Sequence, residues 1–138
     1  MFGKKKVEPP KPKNPVAFRA NWPDGTFLIT ESNTYFIKAG KKFRLFSPRV
    51  FTSWKAVAIP VTEDAVKHIR PGGVLGFRDA TLIKDISDGR IYLIAGSKRR
   101  HVTNPDVLDL LDYPVLVVSH EETILHEEGQ ELNGLGID

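Results

Sequence analysis

The sequence predicts an α+β protein made of two tandem copies of one small module. Each copy is an antiparallel β-hairpin sheet with a capped helix, and an extended N-terminal arm precedes them. Three observations carry this. A repeat runs through the chain at an offset of 57 residues. Short β-rich runs alternate with turn residues in both copies. The first 20 residues are basic and proline-rich, while the remainder has ordinary globular composition.

The repeat is read in matching phrases. Tyr35-Phe36-Ile37, Lys41-Lys42-Phe43-Arg44-Leu45 and Ser47-Pro48-Arg49-Val50-Phe51 return as Tyr92-Leu93-Ile94, Lys98-Arg99-Arg100-His101-Val102 and Asn104-Pro105-Asp106-Val107-Leu108. The same offset carries Val61-Thr62 onto Val118-Ser119, and Gly72 to Leu75 onto Gly129 to Leu132. Matched positions keep physical type more than identity. The chain divides into an arm at 1–22, module one at 23–75, module two at 76–132 and a frayed tail at 133–138.

The arm holds Pro9, Pro10, Pro12 and Pro15 among lysines. Proline in that density excludes helix and central strand and favours an extended polyproline conformation. Phe18 and Trp22 give the arm something apolar to bury. In module one, Thr26 to Thr30 and Thr34 to Lys38 form a hairpin, Ala39-Gly40 turns the chain, and Lys42 to Phe46 is a third strand. Ser47 then caps a helix with Pro48 in its first turn, ending near Trp54. Ala56 to Val61 is a strand. Thr62 caps a helix from Glu63 to Ile69, with acids in its first turn where the helix dipole favours them, and Pro71-Gly72-Gly73 ends it.

Module two follows the same plan. Ala80 to Lys84 and Arg90 to Ala95 flank Ser87-Asp88-Gly89, a turn with one extra residue. Lys98 to Thr103 is the third strand, Asn104-Pro105 opens a helix through Leu111, Val115 to Val118 is a strand, and Ser119 caps a short acidic helix.

Composition excludes several classes. There are no cysteines, so disulfides and thiolate metal sites are out. The start Met1-Phe2-Gly3-Lys4-Lys5-Lys6 has no apolar run behind it and does not read as a secretory signal. No segment has the length of a membrane-spanning helix. Synthesis in the cytoplasm is the expectation. The net charge of +3 is uneven: the arm is basic, and Ser119 to Asp138 holds acids with no Lys or Arg. This polarity predicts head-to-tail contact, or an arm docked on an acidic neighbour.

No catalytic constellation emerges. His120-Glu121-Glu122 has the opening of a zinc-protease motif, but the second histidine would stand at 124, which is Ile124; His126 is off that helical face. His68, His101, His120 and His126 read as surface groups. Asp85 with Asp88, and Glu127 with Glu128, lack a neighbour that would bury one acid and raise its pKa. There is no phosphate-binding glycine loop and no nucleophile elbow. No cofactor or metal is expected. Trp54 aligns with Leu111 and reads as core. Trp22, freer, reads as an arm anchor. Two basic hairpins, Lys41, Lys42 and Arg44 in one copy and Lys98, Arg99 and Arg100 in the other, are candidates for polyanion binding, weighed against lysine-rich edges that block strand pairing.

Thr81-Leu82-Ile83-Lys84, Ile91-Tyr92-Leu93-Ile94 and Lys98 to Val102 resemble a repeat found in tandem in bacterial cell-wall-associated proteins and in tailed-phage virion proteins. Residues 25–54 match it less closely. The resemblance implies an accessory or adhesive module and brings no catalytic residue. The missing secretion signal and missing enzymatic domain favour a virion component: a non-enzymatic capsid-decoration, minor capsid, tail or connector protein assembled in the host cytoplasm. Its expected partners are major capsid or tail subunits or further copies of itself, contacted through Lys4, Lys5, Lys6, Lys11, Lys13, Phe18 and Trp22. The alternative is a cell-wall or glycan-binding accessory module using the basic hairpins. Nucleic acid is disfavoured, because acids outnumber bases beyond the arm, and membrane is not expected.

Overall fold

A computed structural model describes residues 14–134. Module one runs β1 (Phe27–Ile29), β2 (Thr34–Lys38), β3 (Lys41–Leu45), α1 (Pro48–Trp54), β4 (Ile59–Pro60), α2 (Glu63–Val66) and β5 (Arg70–Leu75). Module two runs β6 (Leu82–Asp85), β7 (Ile91–Ala95), β8 (Lys98–His101), α3 (Pro105–Leu111), β9 (Val115–Val118) and α4 (His120–Thr123). The class is α+β.

Both sheets have the same strand order. The first is β4-β1-β2-β3-β5 and the second β9-β6-β7-β8. The place of β5 is taken in module two by residues 127–132, which touch the third strand through parallel bridges Arg99–Glu128 and Val102–Leu132. The central hairpins are antiparallel, as their turn chemistry requires. Ala39-Gly40 and Gly96-Ser97 all have positive φ and close two-residue turns whose twist suits a hairpin. The flanking strands β4, β5 and β9 run parallel to their neighbours, so the sheets are mixed rather than purely antiparallel. Each parallel flank follows a helical crossover, which a hairpin turn cannot replace.

The caps are as the sequence predicts. Ser47, Thr62, Asn104 and Ser119 each accept a backbone N–H at a helix start, and Ser119 forms a full capping box with Glu122. Two local expectations are corrected. Pro71-Gly72-Gly73 does not end a long helix: α2 stops at Val66, and the Pro-Gly-Gly run is part of β5. Proline is tolerated there because β5 is an edge strand. Gly72 is required there because a Cβ would come within 2.6 Å of the Phe43 ring. The second hairpin is also two residues longer than the first, not one, since Leu28 faces Tyr35 whereas Ile83 faces Tyr92.

Three apolar clusters build the core. One joins the modules: Phe27, Leu45 and Val50 of the first pack with Ile83, Tyr92, Ile94 and Val118 of the second, around Phe77 at the start of module two. α1 lies in this joint, with Phe51 and Trp54 against it. A second cluster, Leu28, Ile37, Val61, Ala65, Val66 and Ile69, fills the far face of the first sheet and is covered by Val16 and Trp22. The third places Val107 of α3 over Leu82, Val102 and Leu132.

Candidate functional site

The densest polar chemistry sits where the modules meet. The capping-box geometry of α4 turns Glu122 inward, so that it is only 1% exposed. Its Oε1 accepts from Ser119 N–H at 2.9 Å and from Arg49 Nε at 2.8 Å, and its Oε2 accepts from the Ser47 hydroxyl. Ser47 also caps α1, accepting from Val50 N–H at 3.2 Å. One carboxylate therefore ties the first helix of module one to the last helix of module two. Burial pushes the Glu122 pKa up, but the hydrogen bonds from Ser119, Ser47 and Arg49 outweigh it and hold the group below its usual range.

His126 is a second buried node, within module two. It is buried at 4% exposure, accepts Phe77 N–H on Nε2 at 2.9 Å and donates from Nδ1 to the Ser97 carbonyl at 2.7 Å. Both nitrogens are used by the neutral ring. Burial lowers its pKa, and the neighbouring Arg99 adds to this against the pull of Ser97 and Asp79. Gly76 makes the approach possible: a Cβ there would lie 2.5 Å from His126 Nε2. His126 is thus a core group, contrary to the surface role its sequence context suggests.

A third polar node ties the β6–β7 turn to α4. Asp85 accepts Ser87 N–H at 2.8 Å, Ser87 Oγ at 2.6 Å and His120 Nδ1 at 2.9 Å. Asp85 is buried, unlike the solvated acid expected; burial pushes its pKa up, but the bonds from Ser87, His120 and Thr123 prevail and hold it well below the carboxylate range. Its Asp-x-Ser turn is the signal that would have revealed it. An Asp–His pair is half of a nucleophile-activating triad, but the serine here bonds the aspartate, not the imidazole. Among the described residues none bonds His120 Nε2. Module one has the same node in other chemistry: Thr30 holds Ser32 and Asn33, and Ser32 bonds Glu63 of α2. A reactive pair would not be rebuilt as a neutral threonine with a glutamate at matched positions. The node is a turn-to-helix tie in both modules.

The expected contact residues separate. Lys4, Lys5, Lys6, Lys11 and Lys13 lie outside the described residues. Phe18 is 65% exposed, whereas Trp22 packs on the second cluster in the place that Phe77 holds in module two. The basic hairpins are partly committed to structure. Lys42 Nζ bonds the Val66 carbonyl at 2.9 Å and lies over Tyr35. Arg99 donates to the His126 carbonyl and lies over Tyr92, and Arg100 donates to the Gln130 carbonyl at 2.9 Å. Arg44 is half-buried beside a cavity of about 350 Å³ lined also by Ser32, Ser47 and Phe51. Lys41 and Lys98, at equivalent turn positions, are exposed.

An apolar surface remains on module two. Leu110 of α3, Tyr113 in the connection that follows, and Val115 and Val117 of β9 are 69%, 44%, 40% and 49% exposed. A groove of about 430 Å³ runs beside Tyr113 and Val115 toward Arg78 and Lys55. Sequence reasoning missed this surface because Val115 to Val118, read as a strand, has no polar residue to mark an outward face. Among the described residues no His, Asp or Glu cluster could hold a metal ion, and no helix is long and apolar enough to cross a membrane.

No family model matches the chain, and no curated protein is similar to it. A chain of the periplasmic assembly from the ESX-5 inner membrane complex is similar at 15% identity and a TM-score of 0.31. The match covers 84% of this chain and 35% of that one, so this chain spans about a third of its length. A likeness that loose carries no argument about fold or function.

Proposed function

We propose that the chain is a non-enzymatic structural protein of a tailed-phage virion, a capsid-decoration or tail and connector accessory subunit that attaches through its N-terminal arm. The observation that carries the non-enzymatic part is the use of its buried ionisable groups. Asp85, Glu122 and His126 each spend their bonding capacity on joints within the fold. The repeat and its resemblance to virion modules supply the rest. Such a body presents surface, and its most basic segment is the arm.

Density-gradient particles from the source, with this chain quantified against the major capsid and tail proteins, test the reading. A fixed stoichiometry in the particle peak supports it, and the ratio separates decoration from a ring. A chain found only off the particles overturns it. The second reading, binding to an anionic wall polymer, draws on Lys41 and Lys98, exposed at matched turns. Salt-sensitive binding lost on changing both to Ala would favour it.

A further inference from the structure

We propose that the N-terminal segment of a second copy, residues 4–8, adds as a strand to the open edge of β9. The inference takes from the proposed function only that the arm makes contacts; it does not depend on the virion.

The chain itself shows how this edge is covered. In module one the equivalent edge strand, β4, is flanked by Val16, which forms a parallel bridge with Val61. Val16 N–H donates to the Pro60 carbonyl and its carbonyl accepts from Thr62 N–H, both at 2.9 Å. The repeat offset carries Pro60, Val61 and Thr62 onto Val117, Val118 and Ser119. Among the described residues nothing pairs with β9 on that side.

The register follows from backbone alternation. The Val118 carbonyl accepts from Ile86 N–H on the β6 side, so Val117 and Val115 direct their N–H and C=O groups away from β6. Ser119 N–H is already held by Glu122. A strand on β9 therefore sits two residues earlier than Val16 does on β4. It faces Leu116, donating to the Val115 carbonyl and accepting from Val117 N–H. Such strand addition is an established mode of peptide capture.

Charge and sequence select the occupant. After Arg100 the sequence contains no Lys or Arg, α3 exposes Asp106 and Asp109, and its C-cap Asp112 is exposed three residues before β9. Lys4-Lys5-Lys6-Val7-Glu8 offers the opposite charge with a valine in the role of Val16. Pro9 limits the strand on its far side. Pro9, Pro10, Pro12 and Pro15 favour an extended spacer over a reversal, which carries the segment to a neighbour rather than back onto its own module. The contact joins two different surfaces, so it propagates into a ring or filament.

Sedimentation velocity on the full chain and two variants tests this. The full chain self-associates with concentration. Deleting residues 1–13, which leaves Val16 and Trp22 in place, abolishes association without lowering the melting temperature. Val117→Pro removes the outward N–H and installs the residue that module one already has at that position; it also abolishes association. Mixing the deletion with Val117→Pro gives a one-to-one dimer, because one copy supplies the edge and the other the arm. If Val117→Pro does not fold, Asp109→Lys combined with Asp112→Lys replaces it and loses association likewise. A full chain that stays monomeric, a deletion that still associates, or a mixture that does not pair overturns the proposal. A monomer that still bands with particles would retire this contact and leave the virion reading standing.

Discussion

Glu122 and His126 stand where module one has Ala65 and Ile69. Both groups are therefore chemistry that module two alone carries; Glu122 is used against Ser47 and Arg49 of module one, whereas His126 ties Phe77 to Ser97 within module two. Removing the Glu122 carboxylate strands the Ser119 N–H and leaves Ser47 and Arg49 without their acceptor. Glu122→Ala should cost about 3 kcal/mol in urea unfolding; Arg49→Ala, whose side chain is half in solvent, should cost under about 1 kcal/mol. Equal costs would show that the lock is not centred on the buried acid. His126 gives a pH signature. Its folded pKa is lowered from 6.5, so the unfolded chain takes up the proton first as the solution is acidified. Its contribution is complete above pH 6.5 and is lost as pH falls from there toward the folded value. His126→Gln should remove that slope while lowering stability throughout, as read from melts across pH 5 to 8. Neither role was legible in the sequence: an acid in a first helical turn and a histidine before two glutamates both look solvated, and only the fold brings Ser47, Arg49 and Phe77 to them.

At the scale of elements, the sequence carried what local chemistry decides. Four cap residues, two proline starts and two two-residue turns each act within a few neighbours, and all were legible. β5 was not, because proline and two glycines signal a turn, while their use here depends on Phe43, some 30 residues away in the chain. The match of Gly72 to Leu75 with Gly129 to Leu132 was the available clue, since both runs flank a third strand. The helix ends show a further regularity. α1 and α3 both close on a left-handed residue that is not glycine, Lys55 at φ 50° and Asp112 at φ 50°. A side chain in that region costs about 1 kcal/mol or more. Lys55→Gly should therefore raise the melting temperature by a few degrees, since Lys55 is exposed and its ammonium makes no bond among the described residues. A lowered melting temperature would mean that the lysine stem packs across the cap.

For the whole molecule, the repeat predicts two similar modules but is silent on how they meet, because a shared core depends on which faces are left uncovered. The structure gives module two no independent core on its inner face. Ile83, Tyr92 and Ile94 share one cluster with Phe27, Leu45 and Val50 of module one, around Phe77. The far faces are closed separately, with Val16 and Trp22 over module one and α3 over module two. Stability should therefore be cooperative across both modules, with one unfolding transition by fluorescence and by circular dichroism. Phe77→Ala, at the centre of the joint, should cost about 3 to 5 kcal/mol yet keep the transition single. Residues 76–138 expressed alone should fail to give a dispersed amide spectrum, because the face that receives α1 would be open to water. Residues 1–75 alone should likewise fail, since Phe27, Leu45, Val50, Phe51 and Trp54 would lose their cover. Two separate transitions in the intact chain would instead show that the modules are stable units in contact, and that the polar joint at Glu122 aligns them without fusing them.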